Sequence, residues 1–507
     1  MSACSANQKV ISSLPSEIEH VWRLFGKICA VPHGSYNVNP IVAFYVDYLE
    51  ALRTHLPGLT FNVDQAGNIL VRIPASQGFQ HVPGVCLQGH SDMVCVKAPD
   101  STHDFTTDPL TLRIVEEDGK RWLMATDTTL GADNSIGVAI GLGLIEEVAR
   151  NSDFKHGPIE ILITANEEVG LIGAADLAPN SLASKYLVNL DSEDYGEICV
   201  SCAGGLRAIF STSLTRVDAP LEAQCVLNLT RLSGGHSGCD IQLGRANSLK
   251  MMARLIRSIP SARLIGICGG TAHNAIPADC QATIVCRIDM NATIIQNIWR
   301  RIYKPYRVTD PDAQLDISFL PQENWLRPLM QGDSDRILDL LVAIPHGPMR
   351  FSPTVSGFVE TSLAPTVLEC REEEESFSLL VSARSSIEAE LDGTYEVLQA
   401  LARMSQMTLS DPQSRYPGWP ANPDSALLKE AEVAYSKELG RDAVVNAVHA
   451  GLEAGLICEK HARMDAVSIG PTIRNPHSPH EALDIDTVAP IYRITRDIIS
   501  ALAIKHK

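Results

Sequence analysis

The chain has 507 residues, about three times a typical domain length, so two or three domains are expected rather than one small module. Hydrophobic residues make up 45% and charged residues 20%, with a mean hydropathy of +0.02, which suits a folded chain with a wet surface and excludes disorder, collagen and coiled coil. Its 42 Lys and Arg against 60 Asp and Glu leave a net charge of −18 with no segregated basic cluster, which excludes nucleic acid as a partner.

The first nine residues, Met1 to Lys9, hold no basic residue followed by an apolar core, so they do not read as a secretory signal, and the expected location is cytoplasmic. Apolar residues at helical spacing (Val21, Leu24, Phe25, Ile28) predict an amphipathic helix over 17–30. Pro40 followed by Ile41, Phe44, Tyr45, Tyr48, Leu49 and Leu52 predicts a second. Short β-type runs come next: Thr60-Phe-Asn-Val, Ile69-Leu-Val-Arg-Ile and Gly84-Val-Cys-Leu-Gln. The most apolar stretch, Ile136 to Ile145, lies in a helical block from Asn134 to Val148. It is about ten residues long where a membrane span needs about twenty, so no membrane partner is expected. The strands Ile159-Glu-Ile-Leu-Ile-Thr-Ala and Tyr186-Leu-Val-Asn-Leu follow, with a short helical piece between them. Strands alternating with helices predict an α/β fold around a parallel sheet covered on both faces.

The 13 cysteines are an odd number spread singly from Cys4 to Cys458, as expected of reduced thiols used as small core residues, so disulfides are not expected. Cys199 and Cys202 have C-x-x-C spacing but lie on the apolar run Ile198 to Ala203, with no second pair to complete a metal site. From about Gly205 to Ala400 the character changes to β-rich stretches alternating with helices such as Ala246 to Ile259, which reads as one or two inserted α+β domains. From Asp424 the chain returns to α/β character, with a helix at Ala426 to Leu439, a strand at Ala443 to Ala447 and a final helix after Asp486.

Three of the apolar strands run into potential metal ligands. The first leads to His90 and Asp92, the second to Glu167 and Glu168, the third to Asp191. Open parallel sheets bind ligands outside the carboxyl ends of their strands, so these residues can converge. Between the first two strands lies Gly131-Ala-Asp133-Asn134, and near the end of the chain His477 stands in a loop with three prolines, Gly470 to Pro479. Two imidazoles and several carboxylates suit a borderline cation such as zinc, with Mn2+ or Co2+ as substitutes, and a bridging carboxylate can hold two of them. Each residue also has a structural reading: Asp133 as an N-cap, Glu167 and Glu168 as helix-start charges, Asp191 as the start of an acidic loop, the histidines as loop residues. Those readings must all hold at once, whereas one metal site explains the set. Adjacent glutamates point in different directions, so one can bind metal while the other faces an attacking water.

His90-x-Asp92, Asp133-Asn134, Glu167-Glu168, Asp191 and Pro476-His477-Ser478 together resemble the M20 peptidases, a group of dinuclear zinc aminopeptidases and carboxypeptidases. More closely, Thr129-Leu-Gly-Ala-Asp-Asn, Cys202-Ala-Gly-Gly, Gly234-Gly-His-Ser-Gly, Asn274-Ala-Ile-Pro, His449-Ala-Gly-Leu-Glu and Ser468-Ile-Gly-Pro-Thr-Ile resemble its aminoacyl-histidine (Xaa-His) dipeptidase branch. The motifs occur in the same order over nearly the whole chain.

The resemblance implies an α/β catalytic domain with a mixed, mostly parallel sheet, built from residues 1–204 and 401–507, and an inserted α+β lid and dimerisation domain at 205–400. It implies two Zn2+ per subunit, bridged by Asp133, with His90 and Asp191 on one and Glu168 and His477 on the other. Asp92 would orient His90, and Glu167 would be the general base that takes a proton from the attacking water. In the lid, His236 would polarise the scissile carbonyl, from its own subunit or across a homodimer, while Asn274 and Arg384 would hold the substrate's C-terminal carboxylate. The bland alternatives here are a turn at His236 and a buried ion pair at Arg384. The implied activity is hydrolysis of unblocked dipeptides, Xaa-His compounds among them. A deacylase or tripeptidase of the same family is one alternative and a non-enzymatic binding protein on the same fold another; the first would accept N-acetylated substrates, and the second would have lost a ligand or Glu167.

Overall fold

Central strands need apolar residues on both faces, and Val85–His90, Ile159–Thr164 and Tyr186–Asn189 are buried at every position. They occupy the middle of an eight-stranded sheet in the computed structural model, which describes residues 3–218, 223–321 and 325–507. Met1 and Ser2, the first residues of the N-terminal stretch that does not read as a signal, lie outside those residues.

The chain divides into two units. Unit 1 runs to Ser201 and resumes over Ala421–Ala447 and Leu452–Lys507; unit 2 comprises Cys202–Pro420 with Val448–Gly451. In unit 1, Val85–His90 is parallel to both Ile159–Thr164 and Tyr186–Asn189, and Asp465–Ser468 is parallel to Tyr186–Asn189. Ile69–Ile73 and Thr60–Val63 extend one side antiparallel, so the sheet is mixed, with a parallel centre. The helix Ala132–Arg150 is buried almost throughout and packs on Val85–His90. A separate four-stranded antiparallel sheet includes Lys120–Ala125, Ile473–Arg474 and Ala482–Asp484, and it frames the loop that carries His477.

Unit 2 is built on a ten-stranded sheet whose described pairings are all antiparallel. Its helices Ser248–Arg257, Ala292–Tyr303, Gln331–Ala343 and Glu388–Ser405 share one apolar core with it. The insertion runs further than residue 400, because Thr408–Leu409 and Gln413–Tyr416 pair with Gly204–Ser213. Val448–Gly451 joins it through the Ala203 N–H, which donates to the carbonyls of Val448 and Ala450. The acidic run after Arg371 is the turn between Val359–Glu369 and Ser376–Ser385, an antiparallel hairpin. Cys199 and Cys202 are buried on the strand Glu197–Cys202. Among the described residues no helix is long and apolar enough to cross a membrane.

Candidate active site

The parallel register sets His90 opposite Thr164 and Gln88 opposite Asn189. His90, the Glu167 and Glu168 pair, and Asp191 therefore leave the sheet at one end, its carboxyl end. Asp133 reaches the same place from another direction. Gly131 adopts the left-handed region (φ 65°), and Asp133 itself is non-helical (φ −78°, ψ 102°), so the first turn of the helix Ala132–Arg150 is broken at the residue that carries the carboxylate.

Asp133 stands between two imidazoles. Its Oδ1 lies 3.0 Å from His90 Nε2, and its Oδ2 lies 3.1 Å from His477 Nε2. Asp191 Oδ1 is 3.3 Å from the same His90 nitrogen, and Glu168 Oε2 is 3.1 Å from the same His477 nitrogen. Two groups result, each an imidazole with two carboxylates, sharing Asp133. Ligand atoms of His90, Asp133 and Glu168 all lie within 4.8 Å of one another. Asp191 Oδ1 and Glu168 Oε1 are buried and make no hydrogen bond. Buried carboxylate oxygens without a hydrogen bond, on side chains that stand beside two imidazoles, are a donor set that fits divalent cations.

The electrostatics agree with that fit. Burial lowers His90, but Asp191, Asp133 and Asp92 outweigh it and hold the imidazole well above its usual value. Hydrogen bonds to Asp133 and Glu168 push His477 up to about 11. Burial, with Asp133 and Glu168 adding and His90 opposing, raises Asp191 to about 6. For Glu167, half-buried, burial with the carboxylates of Asp191, Glu453 and Glu168 outweighs His90 and raises the group well above the carboxylate range. So much negative charge in a poorly solvated place favours a bound proton or a bound cation.

Asp92 touches His90 with both its main chain and its side chain. The Nδ1 of His90 bonds the Asp92 backbone carbonyl at 3.0 Å, while its distance to the Asp92 carboxylate is 3.6 Å. The carboxylate also accepts the N–H groups of Glu167 (2.9 Å) and Glu168 (3.3 Å) and the Ser35 hydroxyl (2.8 Å). Asp92 thus contacts both glutamates through its carboxylate and His90 through its main chain and its carboxylate.

Two buried carboxylates behind the site were absent from the sequence reading. Glu453 Oε2 accepts from Gln88 Nε2 (2.5 Å) and the Thr164 hydroxyl (2.6 Å), tying together the strands that lead to His90 and to Glu167. Burial raises it to about 7. It is the last residue of the quoted His449-Ala-Gly-Leu-Glu run, and that motif was its available signal. Glu481, four residues after His477, receives N–H groups from Leu130 to Asp133, and nothing local in the sequence marks it.

Unit 2 gathers the remaining expected residues. His236 Nδ1 accepts the N–H groups of Gly238 (3.2 Å) and Cys239 (3.0 Å), which leaves the ring proton on Nε2 as a donor. Burial, then Arg384, lowers its pKa, so the ring is neutral at pH 7. A Cβ at Gly238 would lie 3.0 Å from His236 Cε1 and 3.2 Å from Arg384 Nε, so both side chains line one spot. Asn274 is half-buried beside them, its carbonyl accepting the Ser237 N–H at 2.7 Å. Arg384 is buried, donates to the Tyr416 hydroxyl at 3.0 Å, and has no hydrogen bond at Nε.

The model of peptidase family M20/M25/M40 matches residues 86–501. The cytosol non-specific dipeptidase of Escherichia coli (strain K12) is 34% identical over 492 residues, which is 96% of this chain and 98% of that protein. The crystal structure of aminoacylhistidine dipeptidase from Vibrio alginolyticus matches with a TM-score of 0.86 at 33% identity, covering 97% of this chain and 98% of the other. Aminopeptidase PepT from Bacillus cereus ATCC 10987 shares the fold alone, with a TM-score of 0.52 at 16% identity over 96% of this chain and 99% of its own.

Proposed function

The chain belongs to peptidase family M20/M25/M40, and from that premise we propose that it is a metal-dependent dipeptidase that hydrolyses unblocked dipeptides, Xaa-His dipeptides among them. The observation that carries the reading is Asp133, whose two oxygens face two separate imidazoles, each with a further carboxylate. His90, Asp133 and Asp191 would hold one Zn2+, and His477, Asp133 and Glu168 the other, with Mn2+ or Co2+ as substitutes. When bound, the pair supplies Lewis acidity that lowers the pKa of water and polarises a carbonyl.

Glu167 is the general base. Its raised proton affinity suits it to take a proton from the attacking water and return it to the leaving amine. Asp92 fixes the direction of Glu167 through the backbone N–H it accepts. Unit 2 is the lid in this reading: the His236 Nε2–H donates to the oxygen on which negative charge develops, and Asn274 and Arg384 hold the C-terminal carboxylate. A cytoplasmic location is supported by the name of the Escherichia coli relative. The mass in solution tests whether the lid also pairs two copies into a homodimer.

A panel of dipeptides and their N-acetylated forms, offered to zinc-loaded wild type and to Glu167→Ala, tests the proposal. Wild type is expected to cleave the free dipeptides and not the acetylated ones, and Glu167→Ala to lose about 10²- to 10⁴-fold in kcat. Wild type that cleaves no dipeptide, or a variant as fast as wild type, overturns it. Cleavage of the acetylated forms points to a deacylase instead.

A further inference from the structure

We propose that Glu481 is a positioning residue for the metal centre, its carboxylate locking the backbone that presents Asp133 to the loop that presents His477. The inference rests on the proposed function, because it takes those two residues as ligands.

Glu481 is 2% exposed. Its Oε2 accepts the N–H groups of Leu130 at 2.7 Å and Gly131 at 3.0 Å, and its Oε1 accepts those of Ala132 at 2.7 Å and, more weakly, Asp133 at 3.4 Å. Successive N–H groups turn to one side there because Gly131 is left-handed, which makes a concave cradle for an anion. A Cβ at Gly131 would come within 2.8 Å of Met93 Sδ, so both the positive φ and the crowding by Met93 favour glycine there. Only a carboxylate brings two acceptor oxygens to such a cradle; a glutamine brings one oxygen and sets an N–H₂ group against backbone donors.

The same side chain belongs to the other ligand loop. The Glu481 N–H donates to the Ser478 carbonyl at 3.0 Å, and the chain passes directly into Ala482–Asp484, which is paired with Lys120–Ala125. One buried group therefore spans the segments carrying Asp133 and His477. Because Asp133 faces both imidazoles, a shift of its backbone disturbs both halves of the centre at once. Groups that orient metal ligands typically govern affinity by about 10- to 100-fold.

The test uses the full chain, stripped of metal and titrated with Zn2+ against a chromophoric chelator. Glu160→Gln serves as the structural control. Glu160 is also a buried carboxylate accepting two backbone N–H groups, from Ala183 (2.9 Å) and Ser184 (2.8 Å), but it sits at the other end of the strand Ile159–Thr164. Glu481→Gln is expected to weaken zinc binding about 10- to 100-fold and, at saturating zinc, to lower kcat while KM stays within about twofold. Glu160→Gln is expected to leave zinc affinity within about threefold of wild type. Should Glu481→Gln fail to fold, Glu481→Asp, which keeps the charge at shorter reach, is read in the same titration and is expected to weaken binding. Zinc affinity unchanged in the Glu481 variant, or weakened equally by Glu160→Gln, overturns the inference alone. Wild type that binds no zinc removes the proposed function with it.

Discussion

A guanidinium taken out of water needs acceptors for its five N–H donors, and an unpaired buried charge is costly. Arg384 is 9% exposed, yet no carboxylate among the described residues pairs with it, and only the Tyr416 hydroxyl accepts from it. Having accepted from Arg384, that hydroxyl keeps its own proton for a further acceptor. The ion pair considered for this position in the sequence is therefore absent, and the residue is suited to bind an anion from outside. Hydrogen bonds to charged groups contribute about 1.5–3 kcal/mol, so Arg384→Met should raise KM for free dipeptides about 10- to 100-fold. Dipeptide amides, which lack the carboxylate, should respond much less. Steady-state kinetics on matched acids and amides check this; equal losses on both would show that the guanidinium does not read the carboxylate.

At the scale of elements, the ligands are set by how closely the helix Ala132–Arg150 approaches the sheet. Asn134 is buried and donates to the Leu190 carbonyl at 2.7 Å, just before Asp191. A Cβ on Gly89, beside His90, would come within 2.3 Å of Asn134 Oδ1, and one on Gly137 within 2.3 Å of the Leu190 carbonyl. Glycines at both positions let the helix, the His90 strand and the Asp191 segment meet at backbone distance. Gly137→Ala forces a separation, since the clash is with main-chain oxygen that cannot rotate away. It is expected to cost about 1–3 kcal/mol of stability. Weaker zinc binding should accompany the loss, measured as a lower denaturant midpoint and a displaced zinc titration. A variant with wild-type stability and zinc affinity would mean that the contact is not tight.

Across the whole molecule, acid should act on unit 2 through histidines that the fold keeps neutral. Burial, with Arg384 and His236 adding, lowers His449 to about 3, and burial lowers His346 to about 4. The unfolded chain binds these protons below about pH 6.5 and the folded chain does not, so stability present above that pH is lost as pH falls toward 4. The loss is about 1.4 kcal/mol per pH unit for a fully buried histidine. His449→Gln should accordingly lose about 2 kcal/mol less than wild type between pH 6.5 and pH 5, read from denaturant midpoints; parallel losses would refute the assignment. Local patterns carried much of the architecture. Period-3.6 runs marked helices and short apolar runs marked strands, including the helix Ala426–Leu439 at its observed bounds, because burial of one face or both writes itself into residue order. The ligand candidates were legible for a similar reason, since polar residues at the ends of apolar strands are conspicuous. Pairing was not legible, so the insertion extends past residue 400 to strands too short and polar to show a period. Nor were Glu481 and the N–H groups that the Asp92 carboxylate accepts, since those partners are brought near only by folding. By itself the sequence determined the elements, the family and the chemical types at the site; the tertiary structure decided which oxygen faces which nitrogen, because distances of about 3 Å between residues hundreds of positions apart depend on packing and not on order.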